Sequence, residues 1–428
     1  MLKDRINIGM MGLGTVGSAV VRVVTGNRES IERKAGARLA ISKVLVRDLA
    51  KPRRVSLPPG TLTQDPDDIL ANPGIDLVLE LMGGLNPARE YIVRALESGR
   101  PVVTANKEVM ATSGHDVFEA ARAGGTGVHF EASVAGAIPI IGPLKQSLAA
   151  NRITEIRGIL NGTCNYILSR MREKSDEMGA ALRAAQEMGY AEADPSDDIM
   201  GHDTARKLAI LASIAFGSRV TPSHIYTEGI TGVAQEDMLY GDELGWTLRL
   251  LGITRCEGGS LEARVHPAFL PRNHPLSAVH GAYNAICVVG DASGEVMFHG
   301  QGAGGLPTAS SVVADVIEAV QNLRRGSTGV GCTCHRSRPV KNMEDVITRY
   351  YVRVEVEDRP GVLAQVAGVF GGESISLQSV IQKRTIDHLA EIVFVTHRAR
   401  EANIRRASSQ IERLPFVSAL RSLIRVEA

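Results

Sequence analysis

A glycine-rich turn near the N-terminus constrains the fold more than any other feature of the chain. It follows a short apolar segment, residues 5–11, and leads directly into an apolar segment of helical character. A GxGxxG turn between a strand and a helix is typical of the first βαβ unit in a doubly wound parallel sheet. The turn predicts a dinucleotide site formed by Gly12, Leu13, Gly14, Thr15, Val16 and Gly17.

The three glycines of this turn have separate physical roles. Gly12 permits the tight turn, Gly14 lets the backbone approach a pyrophosphate, and Gly17 lets the helix pack closely on the strand. The helix N-terminus offers free N–H groups and a partial positive charge to the phosphates. A glycine turn without a ligand is the alternative, and the strand–turn–helix context argues against it.

Strands and helices alternate through the first 136 residues. This alternation implies right-handed crossovers and a Rossmann-type parallel sheet, which we predict for residues 1–136. Further strands are predicted over 39–46, 76–81, 102–104 and 128–131, and helices over 91–98 and 116–123.

The pattern changes after about residue 137, where an α+β domain for substrate binding and dimerisation is predicted over 137–324. A linker rich in Arg, Ser, Gly and Pro is predicted for 325–347. In the α+β domain we predict strands over 151–160, 261–265 and 285–289, and helices over 166–173, 199–216 and 312–323.

The last 81 residues, 348–428, are predicted to form a domain of their own. Their order βαββαβ is that of a ferredoxin-like fold. Because its largest predicted sheet is of the Rossmann type, the chain as a whole is assigned to the α/β class. The predicted strands are 350–356, 375–381, 389–396 and 420–426, and the predicted helices are 362–370 and 401–414.

Composition excludes several classes of function. The 48 basic residues balance the 47 acidic ones, so no overall field favours nucleic acid or an anionic membrane. Aromatic residues make up 4% of the chain, which is too few to supply stacking platforms for single-stranded nucleic acid. No apolar run reaches the roughly 18–20 residues that span a bilayer. With no signal-peptide pattern at the N-terminus and five cysteines in a long chain, a reducing, cytoplasmic location is expected.

A dense acidic segment, residues 189–203, leads into a helix that becomes wholly apolar. Asp203 and Lys207 are four residues apart and therefore neighbours on one helical face. An ordinary helical ion pair would show the same spacing. Because Lys207 comes one turn before the buried run, however, it is expected to be partly desolvated, and the acidic residues would complement a substrate ammonium group.

Lys107 follows the predicted strand 102–104, at the edge where open parallel sheets bind their ligands. A solvated loop lysine is the alternative.

After the second predicted strand, Arg47 and Lys51 favour the 2′-phosphate of NADP, although the nearby Asp48 would suit the ribose hydroxyl of NAD. Arg47 as a merely solvated side chain is equally compatible, so both cofactors remain open.

At these residues the chain resembles the homoserine dehydrogenase family, and the resemblance extends over essentially its whole length. The long acidic segment that ends in Ala-Arg-Lys is the strongest part of the match. The shared motifs are GLGTVG at 12–17, VVTANK at 102–107, NGTCNYIL at 161–168, GYAEADPSDD at 189–198, DTARK at 203–207 and QGAGGLPT at 301–308.

This resemblance implies the interconversion of L-aspartate 4-semialdehyde and L-homoserine with NAD or NADP, in threonine and methionine biosynthesis. It implies that Lys207 is the acid/base at the aldehyde oxygen and that Lys107 lies between nicotinamide and substrate. It places the substrate at Glu192, Asp198 and Asp203, and it brings Gly304 against the cofactor. A homodimer or homotetramer is also implied.

The resemblance further implies a monovalent cation site for Na⁺ or K⁺. Its ligands would be the Glu131 carboxylate and the backbone carbonyls of Val134, Gly136 and Ile138. One carboxylate with several carbonyl oxygens is a donor set for a hard cation. An uncharged hinge loop is the alternative.

The C-terminal part resembles an ACT domain. In such domains the turn before the first helix binds an amino acid through its backbone N–H groups. The corresponding turn here contains Asp358, Gly361, Val362 and Leu363. In this family the implied effector is L-threonine. The double glycine at 371–372 departs from the usual single-glycine turn. This departure leaves the effector open, and a purely oligomerising role is the alternative.

Three other functions are compatible with parts of the sequence. An acylating semialdehyde dehydrogenase would use Cys164 as a nucleophile, but the segment has no obvious partner histidine. A D-2-hydroxyacid dehydrogenase would need a catalytic histidine paired with an acid, which the pattern does not show. A nucleotide-sensing protein without activity would not need the cluster of lysines and carboxylates.

Cys332 and Cys334 lack a second pair at zinc-site spacing and are assigned to the linker.

Overall fold

The computed structural model describes residues 3–427, which group into two compact units. The first unit combines the chain up to Ile156 with Arg206–His224 and Asn284–Ser337. The second combines Arg157–Ala205, Ile225–Tyr283 and the chain from Arg338 onwards. These units interleave along the sequence, so they do not test the predicted domain bounds, which stay a prediction.

Residues 3–160 alternate between strands and helices. In chain order the elements are β1 (Arg5–Met11), α1 (Thr15–Gly26), α2 (Arg28–Ala35), β2 (Arg38–Leu45), β3 (Leu62–Thr63), α3 (Asp67–Leu70), β4 (Leu77–Glu80), α4 (Ala88–Glu97), β5 (Val102–Thr104), α5 (Lys107–Ala123), β6 (Val128–His129) and β7 (Ile153–Ile159).

The middle of the chain is mixed. Its elements are α6 (Gly162–Lys174), α7 (Met178–Glu187), α8 (Ser196–Ile199), α9 (His202–Phe216), β8 (Tyr226–Thr227), α10 (Gln235–Glu243), β9 (Trp246–Glu257), β10 (Ser260–Pro271), β11 (Tyr283–Gly290), β12 (Gly294–Gln301) and α11 (Gly305–Arg325).

The C-terminal part has the predicted order of elements, with one additional two-residue strand, β16. The elements are β13 (Ile347–Glu357), α12 (Val362–Gly372), β14 (Leu377–Ile386), β15 (Leu389–Thr396), β16 (Ala399–Arg400), α13 (Glu401–Ile411) and β17 (Val417–Val426).

In the first unit, six strands form a parallel sheet in the order β3-β2-β1-β4-β5-β6. This is the doubly wound order, in which the direction of winding reverses between β1 and β4. Strand β4 is buried at all four residues, as expected for a strand covered on both faces. Helix α11 packs against α1 and shares its core, so the end of the middle segment returns to the nucleotide-binding sheet.

In the second unit, a mixed sheet has the order β9-β10-β17-β13-β15-β14. The ferredoxin-like strands pair antiparallel, and β17 continues the sheet by pairing parallel to β10 at Ala268 and Phe269. The predicted C-terminal domain therefore shares one sheet with the hairpin formed by β9 and β10.

Several sequence predictions of secondary structure were wrong in detail. The helix predicted over 199–216 is broken at Gly201, whose φ of +85° ends α8 before α9 begins. Helices α5 and α6 begin earlier than predicted, because the side chains of Asn106 and Asn161 cap them. Strand β9 was missed because most of its residues are buried, which hides the alternation that reveals a half-buried strand.

No helix within residues 3–427 is long and apolar enough to cross a membrane.

A buried cluster of charges, which we call the Asp237 cluster, links α10 to the C-terminal strands within the second unit. Asp237 is fully buried and accepts hydrogen bonds from Arg353 Nε at 2.8 Å, from the Tyr351 hydroxyl at 3.2 Å and from the Ser422 hydroxyl at 2.7 Å. Arg353 also donates to Glu391 at 2.5 Å. The cluster therefore satisfies each of its charges by direct hydrogen bonds, as burial requires.

We predict that the substitution Asp237→Asn lowers the free energy of unfolding of the second unit by about 3–5 kcal/mol, because it leaves a buried arginine short of a countercharge. Trp246 is the only tryptophan of the chain and lies in the same unit, so its fluorescence during urea unfolding reports the change.

The matched control is Glu236→Gln on the neighbouring residue, whose ion pair with Arg384 at 3.1 Å is partly exposed. That change is expected to cost no more than about 1 kcal/mol. If the two variants lose equal stability, the effect belongs to helix α10 rather than to the buried charge.

Candidate active site

The glycine-rich turn has the geometry that a dinucleotide requires. Gly12 has a φ of +101°, and a Cβ atom there would lie 2.6 Å from the carbonyl oxygen of Leu81. A Cβ at Gly17 would lie 2.3 Å from the carbonyl oxygen of Gly12, so helix and strand can approach only without a side chain. At Gly14 a Cβ would meet nothing within 4 Å, which leaves open space in front of the helix N-terminus.

Helix α11 begins beside the same turn, within the first unit. A Cβ at Gly305 would lie 3.2 Å from the Thr15 side chain, and the preceding Gly304 is exposed with a φ of +125°. The structure thus brings Gly304 close to the glycine-rich turn, although the two are almost 290 residues apart in the sequence.

Arg47 lies two residues after the end of β2, next to the buried Val46, and is exposed. Its neighbour Asp48 is exposed as well, and the Asp48 carboxylate accepts the backbone N–H of Ala50 at 2.8 Å. The Asp48 carboxylate thus takes part in a local turn and keeps further lone pairs for a ribose hydroxyl, while Arg47 is exposed at the sheet edge where a ribose would lie.

The segment that contains Lys107 is organised by buried hydrogen bonds at the ends of two adjacent strands. The Thr104 hydroxyl donates to Glu80 at 2.7 Å and accepts the Asn106 backbone N–H at 2.9 Å. The Asn106 side chain caps α5 by accepting from the Val109 N–H at 3.1 Å. Burial raises the pKa of Glu80 above its ordinary value. These bonds place Lys107 at the first position of α5, at the C-terminal edge of the sheet, as predicted.

In the second unit, Asn161 holds two of the predicted substrate ligands together. Its side-chain amide donates to Asp198 at 2.6 Å and to Asp203 at 2.8 Å. Its oxygen accepts the Cys164 backbone N–H at 2.8 Å and so caps α6. Asn161 is 5% exposed and Asp203 is completely buried. The sequence analysis assigned no role to Asn161, and its place in the NGTCNYIL motif was the available signal.

The same motif attaches the rest of the acidic segment to α6. The Thr163 hydroxyl donates to the Tyr190 carbonyl oxygen at 2.6 Å, and the ring of Tyr166 lies 4.9 Å from that of Tyr190 between centroids. Cys164 is fully buried, and its Sγ donates to the Asp198 carbonyl oxygen at 3.1 Å. This packing position is unsuited to the nucleophile of an acylating dehydrogenase. Glu192 is exposed, unlike Asp198 and Asp203.

Helix α9 carries Asp203 in its first turn and Lys207 one turn later. The Lys207 side chain is 8% exposed, and buried apolar residues follow at Leu208, Ala209 and Ile210. The expected partial desolvation of Lys207 is therefore present. A buried lysine in such a place is a candidate proton donor, because its ammonium group is not held by bulk water.

The predicted cation loop lies in the first unit. Both oxygens of the Glu131 carboxylate accept backbone N–H groups, from Ile140 and Ile141 at 2.5 and 2.7 Å and from Gly142 at 2.7 Å. The carbonyl oxygen of Gly136 accepts the hydroxyl of Ser311 at 2.7 Å. A carbonyl and a carboxylate keep a lone pair after such bonds, so the donor set remains compatible with a hard cation.

Beside this loop, Asp315 of α11 accepts the backbone N–H of Glu131 at 2.8 Å. Burial and the nearby Glu131 carboxylate raise the pKa of Asp315 well above its ordinary value. Within residues 3–427, His129, Asp315 and Glu318 are the one group of three whose donor atoms come within 4.8 Å of one another. The sequence analysis did not identify this group, because its members are almost 190 residues apart.

The predicted regulatory turn is ordered in the second unit. Gly361 caps α12 with a φ of +88°, and the Asp358 N–H donates to the His388 carbonyl oxygen at 2.8 Å. Val362 is buried against the core of the sheet, whereas Leu363 is 46% exposed. The start of α12 thus has two exposed residues, Gly361 and Leu363, whereas the Val362 N–H already donates to the Arg359 carbonyl oxygen at 3.4 Å.

Comparison with protein families identifies three parts of the chain. Residues 12–131 match the model of the homoserine dehydrogenase NAD-binding domain, residues 139–317 match homoserine dehydrogenase, and residues 350–416 match the ACT domain. The homoserine dehydrogenase of Synechocystis sp. is 45% identical over 98% of this chain and 99% of its own length. That of Bacillus subtilis is 40% identical over 99% of this chain and 98% of its own.

Solved structures agree with these matches. A homoserine dehydrogenase from Thiobacillus denitrificans superposes with a TM-score of 0.94 at 42% identity, over 100% of this chain and 99% of its own. A hyperthermophilic archaeal homoserine dehydrogenase in complex with NADPH has a TM-score of 0.63 at 26% identity, over 74% of this chain and 97% of its own. The chain therefore belongs to the homoserine dehydrogenase family of NAD(P)-dependent oxidoreductases and carries an ACT domain at its C-terminal end.

Proposed function

We propose that this enzyme interconverts L-aspartate 4-semialdehyde and L-homoserine, with Lys207 as the proton-transferring residue. The observation that carries the proposal is the pair of carboxylates held by Asn161, followed one helical turn later by the buried Lys207. Carboxylates would bind an amino-acid substrate through its ammonium group, and a buried lysine would serve the aldehyde oxygen.

The glycine-rich turn would hold the cofactor, and its features support this assignment. The open space at Gly14 leaves room for a pyrophosphate, and the N–H groups at the start of α1 have no partners within the helix. A bound nicotinamide supplies or accepts the hydride of the reaction. We assign Arg47 to the 2′-phosphate of NADP because it is exposed shortly after β2, at the sheet edge where a ribose would lie.

Lys207 would donate its proton to the carbonyl oxygen as negative charge develops there, and it would take the proton back in the opposite direction. Its burial increases the electrostatic stabilisation of that oxygen, because little water screens the interaction. Lys107, at the end of β5, would orient the carbonyl group and assist the hydride transfer.

Asp198 and Asp203 would bind the polar ends of the substrate, and Asn161 would hold both carboxylates in place. Since Asn161 donates to both, it also reduces the repulsion between them. Glu192 is exposed and would complete the ammonium site at its outer side.

The loop 131–142 would bind Na⁺ or K⁺ through the Glu131 carboxylate and the carbonyl oxygens of Val134, Gly136 and Ile138. Glu131 would supply negative charge while it keeps the loop closed through its three backbone hydrogen bonds. Such an ion would act on the shape of the loop and take no part in proton transfer.

The ACT domain would bind L-threonine at Asp358, Gly361, Val362 and Leu363 and inhibit the enzyme by feedback. The exposed start of α12 supports a ligand there. The enzyme would act in the cytoplasm as a homodimer or homotetramer.

We predict that Lys207→Ala lowers kcat by about a hundredfold or more, which is the usual contribution of a general acid. Initial rates of NADP⁺ reduction with L-homoserine measure the effect. The control is Lys174→Ala, an exposed lysine at the end of α6, which is expected to keep the normal rate. Near-normal turnover of a folded Lys207→Ala enzyme would remove the assignment.

We predict that Arg47→Ala raises KM for NADP⁺ about ten- to hundredfold and leaves KM for NAD⁺ nearly unchanged, because a charge-assisted hydrogen bond to a phosphate contributes about 1.5–3 kcal/mol. The exposed Arg54 provides the matched control, Arg54→Ala. Equal changes for the two cofactors would show that Arg47 does not contact the 2′-phosphate.

We predict that millimolar L-threonine suppresses homoserine oxidation in the wild-type enzyme and that Asp358→Ala relieves this suppression. The measurement is the ratio of initial rates with and without L-threonine, with L-valine as the control ligand. An unaffected wild-type rate would assign the ACT domain to assembly or to another effector, whereas the absence of any turnover would contradict the proposed reaction itself.

A further inference from the structure

Two cysteines outside the proposed active site lie close together in the segment between α11 and β13. Cys332 and Cys334 are both half-buried, and the Cys334 backbone N–H donates to Cys332 Sγ at 3.4 Å. The two thiol groups are also hydrogen-bonded to each other. Cα atoms two residues apart are separated by at most about 7 Å, which includes the range found in disulfides.

The segment around the two thiols is fixed at both ends within the first unit. On one side, Lys145 Nζ donates to the Val330 carbonyl oxygen at 2.7 Å. On the other, the Arg336 N–H donates to the Gly217 carbonyl oxygen at 2.9 Å. Because both anchors lie outside the Cys-Thr-Cys tripeptide, the thiols can react without releasing the segment.

The thiols are bordered by space on two sides. On the inner side they line a small cavity of about 50 Å³ whose walls are mainly apolar and include Phe118 and Phe130. On the outer side they line a groove that carries His115, Arg122, Arg219 and His335 beside a single acidic residue, Glu119. A small anionic reagent would therefore be attracted to the outer groove.

The surroundings divide the two thiols into a nucleophile and a weaker acid. The hydrogen bond from Cys334 lowers the pKa of Cys332 to about 5. The positive charges of Arg219 and His335 also lower this pKa, whereas burial raises it. The hydrogen bond to Cys332, together with burial, raises the pKa of Cys334. A half-buried thiolate next to a protonated thiol is the arrangement that disulfide-exchange pairs use.

We propose that Cys332 and Cys334 form a thiol–disulfide exchange site that is oxidised by low-molecular-weight disulfides. The thiolate of Cys332 attacks one sulfur of the external disulfide, whose S–S bond breaks and releases one thiolate. Cys334 then attacks Cys332 Sγ, forms the intramolecular S–S bond and expels the second external thiolate. That leaving group takes up the proton of Cys334, so one disulfide is reduced to two thiols while two protein thiols are oxidised.

The test is to incubate the full-length protein with oxidised glutathione in the presence of EDTA and then to count thiols and measure the intact mass. The wild-type protein is expected to fall from five free thiols to three, since the pair loses two, with a mass lower by two hydrogens and no retained glutathione. Cys334→Ser is expected to stop at the first step, with one glutathione attached at Cys332.

Cys332→Ser is expected to show neither change, because the nucleophile is gone. Cys256→Ser is the matched control, since Cys256 is also half-buried but has no cysteine beside it, and it should behave like the wild type apart from one thiol fewer. The proposal fails if the wild type keeps five thiols, or if Cys334→Ser carries glutathione at a position other than Cys332.

Discussion

A single side-chain amide, that of Asn161, connects the parts of the second unit on which the proposed chemistry depends. Its nitrogen donates to Asp198 and Asp203, and its oxygen caps α6. Two carboxylates that accept from one amide nitrogen repel each other, and the donor that they share offsets part of this repulsion. The acidic segment would otherwise be a solvated loop, because its other acids are exposed.

At the C-terminal edge of the nucleotide-binding sheet, buried hydrogen bonds again position a functional side chain. Glu80, Thr104 and Asn106 are all buried and bond to one another in a chain, which ends at the N-terminus of α5. The VVTANK motif at 102–107 thus contains the end of β5, a buried chain of hydrogen bonds through Thr104 and Asn106, and the cap of α5. Lys107 acquires its position from these neighbours.

The C-terminal part of the chain is joined to the second unit by more than a connecting segment. Strand β17 pairs with β10, and the Asp237 cluster connects α10 to β13, β15 and β17 through buried charges. Burial by itself would raise the pKa of Glu391, but hydrogen bonds from Tyr240 and Arg353 hold it below its ordinary value. The ACT-domain strands and α10 are therefore joined within the second unit by buried, hydrogen-bonded charges.

The sequence by itself determined the nucleotide-binding βαβ unit and the ferredoxin-like order of the C-terminal part. It also identified Lys107 and Lys207, because both lie in motifs that resemble those of one enzyme family. These depend on local patterns: glycines at a turn, alternating hydrophobic residues and short motifs. Only the tertiary structure decided the role of Asn161, the approach of Gly304 to the glycine-rich turn, the shared sheet of β10 and β17, and the pairing of Cys332 with its charged groove. Each of these joins residues that are distant along the chain, so that local sequence patterns do not reveal them and only the folding of the chain brings them together.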